Sequence, residues 1–302
     1  MIELIVYGIV LGSIIALGAV GLTLVYGILR FAHFAHGDLM AVGAYIGLFF
    51  VTGFLPWIGV PSTTFGPLSF GWRMLIAFPI ALALTGGLAV LVDRMLYRKL
   101  RLKGSTPVIL AVSSLGMTFI IRSIIYLIWG ADFRFYAPGV MRPALDLPLG
   151  IKIRPDQILI LIVVLLLVAS LYAFLKGTRM GRAMRATADN LELAWITGVD
   201  TERVILWTWA IGGGLAAAAG ILYGIDVQLR PEMGWNFLLP LFAATILGTI
   251  GNPYGALIGG LVIGIAQQVS TAFLLSTYKP AVAFILMIIL LLVRPQGIFG
   301  GK

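Results

Sequence analysis

His33, His36 and Asp38 are the residues of this sequence whose types and spacing come closest to a reactive site. A spacing of three residues places the two imidazoles on one face of a helix, and a carboxylate two positions further on can orient or ligate. Such a cluster suggests a metal site, a proton relay or an integral-membrane enzyme. The sequence contains two histidines and no cysteine, so no third ligand of the usual kind is identifiable. We therefore expect a structural or pathway-lining role for these residues, and no catalytic, metal or cofactor site.

Arg122 is a charged residue inside an apolar stretch, LGMTFIIRSIIYLIWG. A charge at the centre of a membrane-spanning helix costs about 2.5–3.5 kcal/mol on insertion scales. Arg122 therefore needs a partner or a watery cavity, which would suit a role in a pathway. The alternative is a position near the external end of its span, from which the side chain reaches the interface.

The composition indicates that these residues are positioned by membrane-spanning helices. Hydrophobic residues make up 60% of the chain and charged residues 11%, with a mean hydropathy of +1.05; soluble domains have about 45–50% apolar and about 25% charged residues. We predict an all-α polytopic membrane protein, a single transmembrane domain over residues 1–302 with eight or nine spans. The seventh apolar stretch is short enough for a broken or re-entrant helix. The stretches are 4–29, 39–55, 73–92, 107–129, 157–175, 204–224, 236–250, 255–275 and 281–293.

The distribution of Lys and Arg predicts the orientation of the chain. Basic residues collect at 93–103 and 176–203, so both segments are expected on the cytoplasmic side of a plasma (inner) membrane. Counting spans from these segments places the N-terminus outside and the C-terminus in the cytoplasm. The net charge of +9 then reflects this bias and contact with anionic lipid, and no nucleic-acid partner is expected. The longest external loop, about 130–156, is either a docking surface or a plain connector.

Glycine and polar residues interrupt the apolar sequence at Arg30–Asp38 and again at Gly248–Gly255. Transport proteins often build their pathway from such breaks, because unwound backbone at membrane depth must be satisfied by protein or water. A stand-alone secondary transporter or channel is an alternative that would need a buried carboxylate pair or a filter, and only Asp38 and Arg122 come near to one. The candidate pathway residues are His33, His36, Asp38, Gly248, Gly251 and Asn252.

The cytoplasmic segment at about 178–203 has the pattern of an amphipathic surface helix, predicted over 181–197. Gly198 suits its C-terminal cap, and Asp200 suits the N-cap of the next span. A helix with both charge signs on one face and a Trp on the other is suited to docking against a protein; the alternative is a helix lying on lipid. The apolar stripe is Met184, Ala188, Leu191 and Trp195, and the charged stripe is Arg182, Arg185, Asp189 and Glu192.

Four segments resemble the permease subunits of branched-chain amino acid ABC importers, of the LivH type, and the resemblance covers essentially the whole chain. No GxxxxGK[ST] motif is present, so any ATP hydrolysis must come from a separate subunit. Relatives commonly have Asn where this chain has His33, which bears on the identity of the solute. The segments are Val25–Tyr45, Thr178–Val204, Leu241–Gln267 and Leu291–Gly300.

The resemblance implies a non-catalytic subunit that forms a pathway for branched-chain or related hydrophobic amino acids. Its implied partners are a second homologous permease, two cytoplasmic ATPases, an external solute-binding protein, the amino-acid substrate and membrane lipid. It also implies that 178–203 docks into a groove of the ATPase and drives alternating access. Family members that import urea or short amides are an alternative for the substrate. The residues expected to contact the ATPase are Arg182, Met184, Arg185, Ala188, Asp189, Leu191, Glu192, Trp195 and Gly198.

Overall fold

The computed structural model describes residues 1–137, 143–147 and 151–300, and this part of the chain is mostly helical. Eight of its helices are long and apolar enough to cross a membrane. These are α1 (Ile2–Leu29), α2 (His36–Trp57), α3 (Trp72–Leu102), α4 (Pro107–Trp129), α5 (Pro155–Gly177), α8 (Thr201–Asp226), α10 (Pro253–Ala272) and α11 (Ser276–Val293). Shorter helices are α6 (Arg179–Asp189), α7 (Leu191–Ile196) and α9 (Met233–Leu247). The prediction of an all-α polytopic membrane protein is confirmed.

The core of the bundle consists of α1, α2 and α8, whose apolar windows are more than half buried. Helix α10 packs closely along α1 through glycines. A Cβ atom added at Gly8 would lie 2.7 Å from the Cα of Ile265, and one at Gly12 would lie 2.9 Å from the Cα of Leu261. Small residues four positions apart leave no side chains between the two helices, so their backbones can approach closely. Such packing contributes to association in lipid, where no hydrophobic effect drives helices together.

Helix α3 is longer than predicted, because it continues through the basic segment 93–103 as far as Leu102. A π-helical turn at Asp93–Tyr97 lies within this helix. Arg101 forms a bidentate ion pair with Asp93, with Nη1–Oδ1 and Nη2–Oδ2 distances of 2.6 and 3.2 Å. The predicted end of this span at residue 92 was therefore wrong. Arg, Lys and Leu are good helix formers, and the helix ends only where Gly104 adopts a φ of 70°.

The two basic segments lie at the same end of the bundle. Arg98, near the end of α3, forms an ion pair of 2.9 Å with Glu202, in the first turn of α8. The C-terminal residues also lie near the end of α9, where the backbone nitrogen of Ile298 donates to the carbonyl of Leu247 at 2.9 Å.

Helix α9 is the short seventh segment of the sequence analysis. Its 15 residues correspond to about 22 Å of helix, less than the hydrocarbon thickness of about 30 Å. Glu232, just before it, accepts a hydrogen bond of 3.0 Å from the hydroxyl of Tyr126, near the far end of α4.

The loop predicted at about 130–156 contains the one pair of β-strands found among the described residues. Strand β1 (Leu145–Leu147) pairs antiparallel with β2 (Ile151–Ile153). Ahead of it, Arg134 exchanges backbone hydrogen bonds with Leu229. Residues 138–142 and 148–150 of this loop lie outside the described residues.

Candidate translocation core and coupling surface

The break between α1 and α2 carries the two histidines into the centre of the bundle. Helix α1 ends at Arg30, which has a left-handed φ of 57°, and residues 31–35 are not helical before α2 begins at His36. His33 and His36 are both buried. The Nε2 atom of His36 lies 3.1 Å from the carbonyl oxygen of Gly18; because a carbonyl can only accept, this nitrogen donates.

His33 lies in an aromatic cluster formed by three elements. Its Nε2 atom is 3.1 Å from the hydroxyl of Tyr97, and its ring meets the face of Trp209 edge-on at 4.8 Å between centroids. Tyr97 and Trp209 stack on each other at 5.3 Å. Burial, with a smaller effect from neighbouring His36, lowers the pKa of His33 well below its ordinary value. The imidazole of His33 is therefore neutral at physiological pH.

Asp38 and Arg122 form an ion pair within the apolar part of the bundle. Nε and Nη2 of Arg122 each lie 3.3 Å from one carboxylate oxygen of Asp38. The Asp38 side chain is 1% exposed and that of Arg122 is 16% exposed. Arg122 therefore has a partner, which is one of the two alternatives given for it in the sequence analysis. Asp38 is engaged with Arg122, and the described residues contain no group of three His, Cys, Asp or Glu side chains suited to a metal ion.

Helix α4 presents a polar face to this break that sequence reasoning missed. The backbone nitrogen of Phe34 donates to Ser114 Oγ at 2.9 Å, Thr118 is fully buried one turn further on, and Arg122 follows at the next turn. Ser114, Thr118 and Arg122 are four residues apart, which places them on one side of a helix. The spacing of four could have identified this polar face from the sequence. Nothing in the sequence indicated that Tyr97 and Trp209 would contact His33.

The segment predicted to be cytoplasmic forms two helices and not the single one predicted over 181–197. The break is at Asn190, which has extended dihedral angles and whose side-chain oxygen accepts from the backbone nitrogen of Leu193 at 3.0 Å. Asn is among the best N-cap residues. Asn190 is the C-cap of α6 and the N-cap of α7, so the first helix ends where the second begins. The predicted caps are present: Gly198 has a φ of 86°, and Asp200 accepts from the nitrogen of Arg203 at 3.1 Å.

The break changes which side chains are covered. Met184 is buried and Ala188 is partly buried, as the apolar stripe predicted, but Leu191 is 41% exposed and Trp195 is 69% exposed. The predicted apolar stripe is therefore interrupted at Asn190, and its two halves differ in exposure. The surface of α7 instead exposes a group of large apolar side chains next to charged side chains of both helices. The apolar residues are Leu191, Leu193, Trp195 and Ile196; the exposed charged residues include Arg182, Arg185 and Asp189 on α6 and Glu192 on α7.

Arg30 connects the first break to this surface of α6 and α7. Its Nη2 atom donates to the carbonyl oxygen of Ala188, near the end of α6, at 2.6 Å. A cavity of about 280 Å³ lies beside this bond. Its lining comes from α1, the end of α6 and the turn between α9 and α10: Tyr26, Gly27, Arg30, Ala188, Asp189, Ile250, Gly251 and Asn252.

The second predicted break, Gly248–Gly255, therefore lies beside the end of α6 and away from the histidines. Gly251 has a φ of 85°, and its nitrogen donates to Thr23 Oγ1 at 2.8 Å. Asn252 caps α10 by accepting from the nitrogens of Tyr254 and Gly255. A Cβ at Gly248 would overlap the backbone of Gly255. The structure thus splits the predicted pathway residues into a core group and a group at the end of the bundle.

Comparison with known proteins gives consistent similarities over the length of the chain. Residues 4–291 match the family model described as branched-chain amino acid transport system / permease component. The high-affinity branched-chain amino acid transport system permease protein LivH of Escherichia coli is 35% identical, with 97% of this chain and 93% of LivH covered. BraD of Pseudomonas aeruginosa, of the same description, is 34% identical, with 99% and 95% covered. A probable LivH of Methanocaldococcus jannaschii is 28% identical, with 97% and 90% covered.

Proposed function

Because this chain belongs to the family of branched-chain amino acid transport permeases, we propose that it is one of two homologous permease subunits of an ATP-driven importer. The solute is a branched-chain or related hydrophobic amino acid. The other subunits are a second permease, two cytoplasmic ATPases and an external solute-binding protein. The chain itself supplies a conduit and a mechanical coupling element, and no bond is made or broken in it.

The observation that carries this proposal is the exposed surface of α6 and α7. Trp195 is 69% exposed and Ile196 is 74% exposed, on a helix that lies outside the membrane-spanning segments. Exposed apolar groups bordered by charges are typical of protein interfaces, and Trp and Arg are frequent in the residues that dominate binding energy. We assign this surface to the ATPase, with Arg182, Arg185, Asp189 and Glu192 around the apolar residues.

The contacts of Arg30 suggest the route by which motion reaches the bundle. ATP binding draws the ATPases together and displaces α6 and α7. Because Arg30 holds the carbonyl of Ala188, this displacement pulls on the end of α1 and on the break that contains His33 and His36. The pathway between the two permeases then opens to the other side. The N-terminus lies outside and the C-terminus in the cytoplasm, since the basic ends of α3 and α5 belong inside.

Uptake of a labelled solute into proteoliposomes tests the proposal. The chain is co-expressed with the second permease and the ATPase encoded beside it, and the purified complex is reconstituted with its solute-binding protein. We expect leucine uptake that requires ATP on the ATPase side and stops when the Walker lysine of the ATPase is replaced. Uptake by this chain alone, driven by an ion gradient without ATPase subunits, would contradict the proposal.

A further inference from the structure

The Arg122–Asp38 pair reaches from the buried part of the bundle to its outer surface. The Arg122 side chain is 16% exposed while its carboxylate partner is 1% exposed, so the arginine stands between Asp38 and the outer surface of the chain. Arg122 is seven residues before the end of α4 at Trp129, which is about 10 Å along the helix. A charged group thus touches the surface within the apolar thickness of the protein.

The side chains around Arg122 are aromatic and exposed. Its guanidinium carbon lies 5.0 Å from the ring centre of Trp235 on α9 and 6.0 Å from that of Phe119 on α4. Trp235 is 43% exposed and Phe119 is 56% exposed. The described part of the chain offers Arg122 the two oxygens of Asp38 as acceptors, through Nε and Nη2, which leaves the Nη1 edge of the guanidinium free.

This surface is a poor match for lipid. On α5, by contrast, the exposed side chains include Leu165 and Leu166, at 72% and 59%, and a face of this kind suits hydrocarbon. An arginine edge without an acceptor would lose hydration in hydrocarbon without compensation. Intramembrane ionisable groups usually face a bundle interior or a water-filled cavity and mark substrate pathways. The face of Phe119, Arg122 and Trp235 therefore belongs on a hydrated pathway in the assembled importer.

We propose that the Arg122–Asp38 pair and its two flanking rings form an intramembrane contact site for a zwitterionic amino acid with an apolar side chain; this inference rests on the function proposed above. The free Nη1 edge of Arg122 takes the α-carboxylate of the solute, and the rings of Phe119 and Trp235 contact its aliphatic side chain. Asp38 orients the guanidinium and balances its charge. A neutral pair holds a neutral zwitterion weakly, which suits a site that must release its solute.

The first test compares two ion pairs of similar burial in the reconstituted complex. In D38N/R122Q both charges of the proposed site are removed together. The matched control is D93N/R101Q, a pair with side chains 1% and 19% exposed at the end of α3. We expect at least a tenfold rise in the KM for leucine uptake in D38N/R122Q, with ATP hydrolysis retained, and less than a twofold change in the control.

A KM within twofold of the wild-type value in D38N/R122Q would overturn the inference and leave the proposed function intact. Absence of ATP-dependent uptake in the wild-type complex would instead overturn the proposed function. Loss of the second permease from purified D38N/R122Q, with the control still assembled, would identify the face as a subunit contact and would also overturn the inference.

The second test does not depend on the pair being removable. The chain contains no cysteine, so F119C and L165C each introduce a single thiol. In the assembled importer we expect a membrane-impermeant thiol reagent to modify F119C at least tenfold faster than L165C, and leucine to slow the reaction at F119C. Equal and slow modification of both variants would place the Phe119 face in lipid and contradict the inference.

Discussion

The side chain of Arg30 donates a hydrogen bond of 2.6 Å to the main-chain carbonyl of Ala188, across 158 positions of sequence. Arg30 ends the first transmembrane helix in a left-handed conformation, and Ala188 lies in the last turn of α6. The bond therefore joins the break that carries the buried histidines to the surface assigned to the ATPase.

Replacement of Arg30 should separate ATP hydrolysis from transport. A hydrogen bond from a charged donor contributes about 1.5–3 kcal/mol. The R30Q substitution removes the charge and leaves a side chain too short to contact the carbonyl of Ala188. We expect leucine uptake to fall about tenfold or more while ATP hydrolysis by the reconstituted complex remains. The control is R94Q, at an exposed arginine on α3. Uptake and hydrolysis that fall in the same proportion in R30Q would contradict the proposed route.

The glycine contacts between α1 and α10 predict a contrast between two alanine substitutions. A Cβ atom at Gly264 would overlap the backbone of Gly12, whereas one at Gly116 on α4 meets nothing within 4 Å. Overpacking typically costs 1–3 kcal/mol, and alanine is intrinsically a better helix former than glycine by about 1 kcal/mol. G264A should lower the midpoint of thermal unfolding in detergent, and G116A should leave it unchanged or raise it. Equal midpoints for the two variants would mean that α1 and α10 are not packed this closely.

The burial of His33 predicts how stability changes with pH. Its pKa is lowered in the folded protein, so the folded state binds fewer protons than the unfolded state below the ordinary value of about 6.5. The contribution of His33 to the free energy of unfolding is therefore fully present above about pH 6.5. It is lost as the pH falls, and the free energy of unfolding then decreases by up to about 1.4 kcal/mol per pH unit. The unfolding free energy in detergent should depend less on pH between about 6.5 and 5 in H33N than in the wild type.

The variant Y97F is the control for this measurement. It removes the hydroxyl that lies 3.1 Å from His33 Nε2 but keeps the titrating imidazole, so the wild-type slope should persist. If H33N and the wild type lose stability in parallel on acidification, His33 is not buried as a neutral group.

Local chemistry was the part of this molecule that could be predicted from the sequence. Gly198 and Asp200 end and begin helices where their backbone and hydrogen-bonding preferences predicted. The spans were recognisable because each is a long apolar segment. The break at Asn190 was missed because Leu191 and Trp195 continue the helical spacing of Met184 and Ala188 in the sequence. Periodicity alone cannot show whether such a pattern forms one helix or two consecutive helices.

Long-range partners could not be predicted. Asp38 and Arg122 were both singled out, but they are 84 positions apart, and no periodicity relates residues on different helices. The same holds for His33, whose surroundings come from Tyr97 on α3 and Trp209 on α8. Recognition of these contacts requires the packing of the bundle.

Site-specific cross-linking from the exposed surface of α7 tests the coupling account most directly. In the otherwise cysteine-free chain, W195C carries a thiol-attached photoreactive group in the reconstituted importer, and W57C carries the same group at a tryptophan 81% exposed at the end of α2. Illumination should join W195C, and not W57C, to the ATPase subunit, with a yield that changes when ATP is added. A W195C product that contains lipid alone, in an importer that still takes up leucine with ATP, would contradict the account.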